Sequence, residues 1–161
     1  MEHYNKYRWF YTKSGKKVIG GKNAKQNDEL LREITSSKER YYVMHTSSPG
    51  SPFSVILAKL SEVTDGDLEE CAVFTGCFSK EWKEKKKTAR IDIFTSDQVS
   101  KESGMKAGMW HVKGNVNHKN VKLELILIRQ KSVLRAVPTI TSKKFILKIV
   151  PGNIDKQDAL I

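Results

Sequence analysis

Strand-length apolar runs punctuated by turn residues constrain this chain more than any other feature. "RWFY", "KKVIGG", "YYVMH", "FSVILAKL", "RIDIF", "GMWHVKG", "VKLELILI" and "SVLRAVPTITSKKFILKIV" recur along the sequence, rich in aromatic and β-branched residues. Between them stand Gly, Pro, Ser and Asn, as in the loop "TSSPGSP". "YRWFYTKSGKKVIGG" predicts a hairpin around Ser14-Gly15, and residues 132–150 predict a terminal hairpin turning near Pro138 to Ser142. Two stretches carry a helical period instead. In residues 24–34, Leu30, Leu31 and Ile34 share one face behind an Asn23/Gln26 pair with capping-box spacing. In the second, a Thr64/Asp67 capping box precedes Leu68, Cys71, Ala72, Thr75, Phe78 and Trp82 at intervals of three and four. The expected fold is α+β, with a mostly antiparallel β-sheet and two main helices in a single domain. "DKQDALI" at the end reads as one last helical turn or a frayed terminus.

A chain of 161 residues can bury a real core. No apolar run approaches the ~20 residues of a spanning helix and "MEHYNKYRWF" lacks a secretory apolar region, so the expectation is a soluble, cytoplasmic protein with no membrane partner. Cys71 and Cys77 both fall inside the second helix, a poor arrangement for a disulfide and too few ligands for zinc, so reduced core thiols are expected.

Charge points to a partner. The formal net charge is +11, and it is segregated: residues 1–25 hold seven bases and one acid, residues 62–70 five acids and no base. Between Ser103 and Ile154 the sole acid is Glu124, against ten bases. A phosphate-rich partner is the natural reading, with a merely solubilising lysine face as the alternative. Acids at the start of the second helix and "KEWKEKKK" at its end complement the helix dipole, but six bases against two acids between Lys80 and Arg90 exceed what a dipole requires.

The chemistry the residues support is binding. "GGKNAKQN" lacks the spacing and the hydroxyl of a P-loop; it is either a turn that shapes the fold or a helix start where Lys22, Lys25 and free amides receive one backbone phosphate. His45 has no carboxylate near it in sequence and no nucleophile elbow, which argues against serine chemistry. His111 and His118 lack a third ligand for a metal, and no cofactor is expected. Trp82 could stack a base, though its period with Phe78 favours the core. Lys80, Lys83, Lys86 and Lys87 are the expected phosphate contacts.

Several segments together resemble one family. "WFYTKSGKKVIGGKNAKQNDEL", "YYVMHTSSPGSPFSVI", "CFSKEW", "DQVSK" and "GMWHVKG" occur in the order seen in the NFACT-R domain, the RNA-binding module of the NFACT proteins. The resemblance covers residues 7–128, in the stand-alone form of the module. It implies an RNA-binding domain over residues 1–130; the strand pattern beyond it predicts a C-terminal β-hairpin extension and tail over 131–161, packed on the same domain. Long members of the family are ribosome-associated quality-control factors that engage obstructed large ribosomal subunits. The resemblance therefore implies tRNA or ribosomal RNA as partner, with the large ribosomal subunit behind it. Its marked positions fall on Gly20, Gly21, Asn23, Asn27, His45, Gly50, Ser51, Ser79, Trp82, Gln98, Ser100, Lys101, Gly108 and Gly114. Ser47 stands where many relatives carry an acid, and Asn115 and Val116 where many carry a basic pair.

The expected nucleic-acid contacts are thus Arg8, Lys22, Asn23, Lys25, His45, Ser47, Ser51, Ser79, Lys80, Lys83, Lys86, Lys87, Gln98, Ser100, Lys101 and Lys113, with no catalytic or metal residue among them. The competing classes are an RNA-processing or RNA-modifying enzyme using His45 or His111, and a basic adaptor for an acidic protein. Oligomeric state is left open.

Overall fold

Adjacent residues of the central strands bury into opposite cores. In the computed structural model, which describes residues 2–152, Phe10, Val18, Met44, Ile56 and Ile91 join one apolar cluster. Their neighbours Trp9, Ile19, Val43 and Val55 join a second. The two-residue period of a strand accounts for this, and it requires a helix on each face. Helix α1 (Ala24–Thr35) supplies Leu30, Leu31 and Ile34 to one side, and α2 (Asp65–Cys77) supplies Cys71, Ala72 and Phe74 to the other.

The sheet between them has six strands in the order β1 (Arg8–Tyr11), β2 (Lys17–Gly20), β4 (Ser54–Ile56), β3 (Tyr42–Thr46), β5 (Thr88–Thr95) and β8 (Asn117–Lys122), every pairing antiparallel. A two-stranded ribbon joins β6 (Val99–Ser100) to β7 (His111–Val112). A three-stranded sheet has β9 (Leu125–Gln130) between β10 (Val133–Pro138) and β11 (Leu147–Ile149). The α+β class and the first hairpin are as expected. Helix α2 lies close on the sheet because Gly76 has no side chain: a Cβ there would stand 2.7 Å from Leu123. Cys71 and Cys77 are buried in it and form no disulfide, and burial pushes the Cys71 thiol well up.

Three expectations are corrected. The second helix does not run to Trp82: it stops at Cys77, and the short α3 (Lys80–Lys83) restarts behind Ser79. The Ser79 hydroxyl donates to the Gly76 carbonyl (2.6 Å) and accepts from the Glu81 amide (3.1 Å), so a side chain competes with the helix backbone at that point. "VKLELILI" is two strands in two sheets, broken at Leu123 and Glu124, where Glu124 pairs with Lys122 and Lys148. The terminal hairpin turns at Lys131-Ser132, not near Pro138, and β11 pairs with β9 instead of β10. The reason is β9 itself: Leu125, Ile126 and Leu127 are all buried, so the most apolar strand takes the middle. "DKQDALI" lies outside the described residues. Among the described residues no helix is long and apolar enough to cross a membrane.

Candidate nucleic-acid interface

Four segments far apart in sequence meet at one open groove of about 1120 Å³. They are residues 21–27 at the start of α1, the loop at 45–53, the stretch 78–85 around α3, and the loop 107–112. Arg8 of β1 lies between them.

The turn at Gly20-Gly21 enters α1 through contacts that admit no side chain at Gly21. A Cβ there would fall 2.1 Å from Asn27 Oδ1, which accepts the Phe53 amide at 3.1 Å. Asn27 thus ties the helix start to the second loop. Asn23 caps α1, accepting the Gln26 amide (2.9 Å), while Gln26 Oε1 accepts the Lys22 amide (3.0 Å). Gly108, at φ +80°, presses on Ala24. The Lys22, Gln26 and Asn27 amides are therefore spent on the helix start, and the Lys22 side chain extends into solvent.

The second loop is held from both ends. Ser51 Oγ accepts the Thr46 amide (2.9 Å), and the Lys80 amide donates to the Gly50 carbonyl (2.9 Å), docking the loop on α3. The His45 ring lies on Phe53, with centroids 4.6 Å apart, and Nδ1 contacts the Thr46 carbonyl at 2.7 Å. Burial lowers the His45 pKa, with the Thr46 carbonyl and Asp92 opposing it, so the ring is neutral at pH 7. Nδ1–H then donates to Thr46, leaving Nε2 as a free-lone-pair acceptor. Ser47 Oγ and His118 Nδ1 both end on Asp92 Oδ1. The carboxylate stands between hydroxyl and imidazole, the reverse of the order a nucleophilic triad needs.

The far wall hangs on a buried carboxylate. Asp28 Oδ1 accepts from Lys101 Nζ (2.9 Å), the Gly108 amide (3.0 Å) and Trp110 Nε1 (2.9 Å). Burial pushes its pKa up, but these donors outweigh burial and hold it below the ordinary value. Lys101 also donates to the Lys106 carbonyl, and its ammonium lies 5.7 Å from the Trp110 ring centre.

The expected contacts therefore divide. Arg8, Lys22, Asn23, His45, Ser47, Ser51, Ser79, Lys80 and Lys83 all line the groove, but Asn23, Ser51 and Ser79 spend their polar atoms on the fold. Lys101, expected among the nucleic-acid contacts, lies outside the groove lining with its ammonium on Asp28. Gln98 is likewise structural: its amide nitrogen donates to the Lys113 and Asn115 carbonyls, and its oxygen accepts the Thr95 amide. Lys86 is held by Glu81 (2.7 Å) and Glu84 (3.2 Å). Ser100, with its hydroxyl buried, and the exposed Lys25, Lys87 and Lys113 lie outside the groove lining. Trp82 is core, at 5% exposure. Sequence reasoning missed the groove's apolar walls, Phe53, Phe78, Met109 and Trp110, although each adjoins a segment it had marked.

Apart from Asp92, which holds Ser47 and His118, the charged side chains lining the groove are cationic. Lys22, Lys80 and Lys83 are exposed on its rim. Arg8 is half-buried at its floor, its guanidinium 4.3 Å from the Phe78 ring centre. Among the described residues its polar contact is one long approach to the Gly21 carbonyl, 3.5 Å, and no carboxylate pairs with it.

The model of the NFACT protein RNA binding domain matches residues 6–114. The chain belongs to this family. An archaeal Rqc2 homolog, aRqcH of Methanocaldococcus jannaschii, is 33% identical over 129 residues, which are 76% of this chain and 18% of that protein. The C-terminal part of the fibronectin/fibrinogen-binding protein of Streptococcus suis shares the fold, with a TM-score of 0.60 at 22% identity over 73% of this chain and 44% of that one. The NFACT match takes in all four groove segments and Arg8, and ends before β8.

Proposed function

We propose that this NFACT-family domain is a non-enzymatic RNA-binding module that grips the phosphates of tRNA or ribosomal RNA in cytoplasmic ribosome-associated quality control. One observation carries the reading. Four family segments converge on a groove whose polar side chains are largely spent on the fold, leaving Arg8, Lys22, Lys80 and Lys83 to face a ligand. A ring of cations around apolar walls suits a phosphate backbone with bases against the walls. The family match and the kinship with an Rqc2 homolog favour RNA and the translation setting over other polyanions. The reversed order of Ser47, Asp92 and His118 counts against hydrolytic chemistry.

The test is a salt titration of binding to structured RNA by wild type and by a Lys22/Lys80/Lys83→Gln variant. Several released counterions predict a steep fall in wild-type affinity between about 50 and about 200 mM salt, and a slope about 2 shallower for the variant. A flat wild-type response, or equal slopes, would reject the reading. Labelled RNA shortened or altered in mass after incubation would reject its non-enzymatic part.

A further inference from the structure

We propose that the C-terminal sheet completes a second anion site, outside the groove, that takes a further phosphate of the bound RNA backbone; this rests on the RNA-binding reading above. Lys17, Lys131 and Arg135 gather on two neighbouring aromatic rings. Lys17 Nζ lies 5.5 Å from the Trp9 ring centre and 5.8 Å from that of Tyr11. Lys131 Nζ lies 5.1 Å from the Tyr11 centre, and the Arg135 guanidinium carbon 4.1 Å from that of Trp9. The two rings are 5.9 Å apart, edge to face. Among the described residues no carboxylate pairs with any of the three cations, and Lys17 Nζ donates to the neutral Asn5 Oδ1 at 2.7 Å.

Cation–π contacts alone account for this cluster poorly. Each is a weak attraction at an exposed site, and three like charges on adjoining rings repel one another. Two costs beyond repulsion are built in. Arg135 Nε is buried without a hydrogen-bond partner, and a buried donor left unmet loses the hydration it had in the unfolded chain. Lys131 and Ser132 sit at φ 51° and 63°, in a tight turn where asparagine and glycine are the economical residues. That turn sets Lys131 over Tyr11, beside a recess of about 340 Å³ lined by Tyr11, Gly15, Gln130 and Lys131. Gln130 fixes the arrangement, accepting the Tyr11 amide and donating to the Tyr11 carbonyl, each at 2.7 Å. An oxyanion in the recess, beside the Lys131 ammonium, would offset the repulsion among the three cations.

Position in the fold says how one RNA could reach both sites. β1 is an edge strand, and successive residues face opposite sides, so Arg8 faces the groove while Trp9 and Tyr11 carry the second cluster. A strand leaving the groove floor would pass round this edge. Lys131 and Arg135 lie beyond residues 6–114, so this grip is an addition to the family module.

The experiment is a length ladder of single-stranded RNA, from about 5 to about 25 nucleotides, titrated by fluorescence anisotropy at several salt concentrations with wild type and Lys17→Gln/Lys131→Gln. This double variant leaves Arg135 on Trp9, and thermal melting checks that it is folded. Short oligonucleotides that fill only the groove are expected to bind both proteins alike. Long ones are expected to bind the variant roughly tenfold more weakly at 100 mM salt, with the log–log slope shallower by about 1–2. Long RNA bound equally by both proteins, with equal slopes, overturns the second site alone. No RNA binding by wild type at any length overturns the proposed function instead.

Discussion

Replacing Asp28 with asparagine tests whether the far wall of the groove hangs on a buried charge. The carboxylate receives three donors on one oxygen, and the Asp28 and Lys101 side chains are 11% and 15% exposed. Removing one partner of a buried pair costs about 3–5 kcal/mol. The low end applies here, because the Lys106 carbonyl still accepts from Lys101 and the amide oxygen of asparagine can keep one neutral bond. About 3 kcal/mol is expected, which for a domain of this size lowers Tm by about 6–12 °C. Urea denaturation of Asp28→Asn, Lys101→Met and the double variant reads both the cost and the coupling, expected at about 1–3 kcal/mol. Acid dependence supplies the sign. A carboxyl held below its unfolded value of about 3.9 contributes stability above that pH and loses it as pH falls through the folded pKa. The variant should therefore differ from wild type above about pH 4 and converge on it in acid. A destabilisation under about 0.5 kcal/mol, or coupling indistinguishable from zero, would refute the reasoning.

Asp67 makes a second acid-sensitive contribution. Although burial alone would raise it, bonds from Ser14, the Thr64 amide and Lys16 hold its pKa down to about 2, so roughly 2 kcal/mol of stability should disappear between about pH 4 and pH 2, and Asp67→Asn should flatten that limb of a pH–Tm curve. Gly21→Ala should cost about 1–3 kcal/mol in urea denaturation by driving a methyl against Asn27, and a cost near zero would mean that the helix start can shift freely. Lys86→Gln should leave RNA affinity within about twofold of wild type, since that ammonium is held by Glu81 and Glu84, whereas Lys80→Gln should weaken it by severalfold in the same anisotropy assay.

The strand runs and the two helical periods were legible because they are local. Phe10 and Trp9, or Met44 and Val43, are adjacent apolar residues that the two-residue period of a strand sends into opposite cores. Where reading failed, a nonlocal or competing interaction decided. Ser79 breaks a helical period that continues through Trp82 because its hydroxyl takes the Gly76 carbonyl, a choice periodicity does not register. β11 joins β9 because that strand is the most buried, which spacing from Pro138 cannot report. Charge located the basic segments, but the sign of a residue does not say who its partner is. Lys101 and Asp28 stand 73 positions apart in sequence, so a marked lysine became a buried tie.

That reassignment bears on how the domain would discriminate among RNAs. Most of the amides and hydroxyls marked in the family segments are spent: Asn23 on a helix start, Asn27 on the second loop, Gln98 on the β6–β7 ribbon, Ser79 on α3. A base edge is read by donors and acceptors left unpaired, and among the described side chains that line the groove the Arg8 fork and His45 Nε2 are two such groups. The exposed lysines see phosphate, which is the same in every sequence. On the proposed reading, selection therefore comes largely from which RNA backbones can follow the groove and turn past the β1 edge, with Arg8 and His45 as points where a particular nucleotide is favoured. Arg8→Lys keeps the charge and removes the fork. It should narrow the spread of affinities among RNAs of different sequence while leaving the salt slope unchanged, and an unchanged spread would place discrimination wholly in backbone shape.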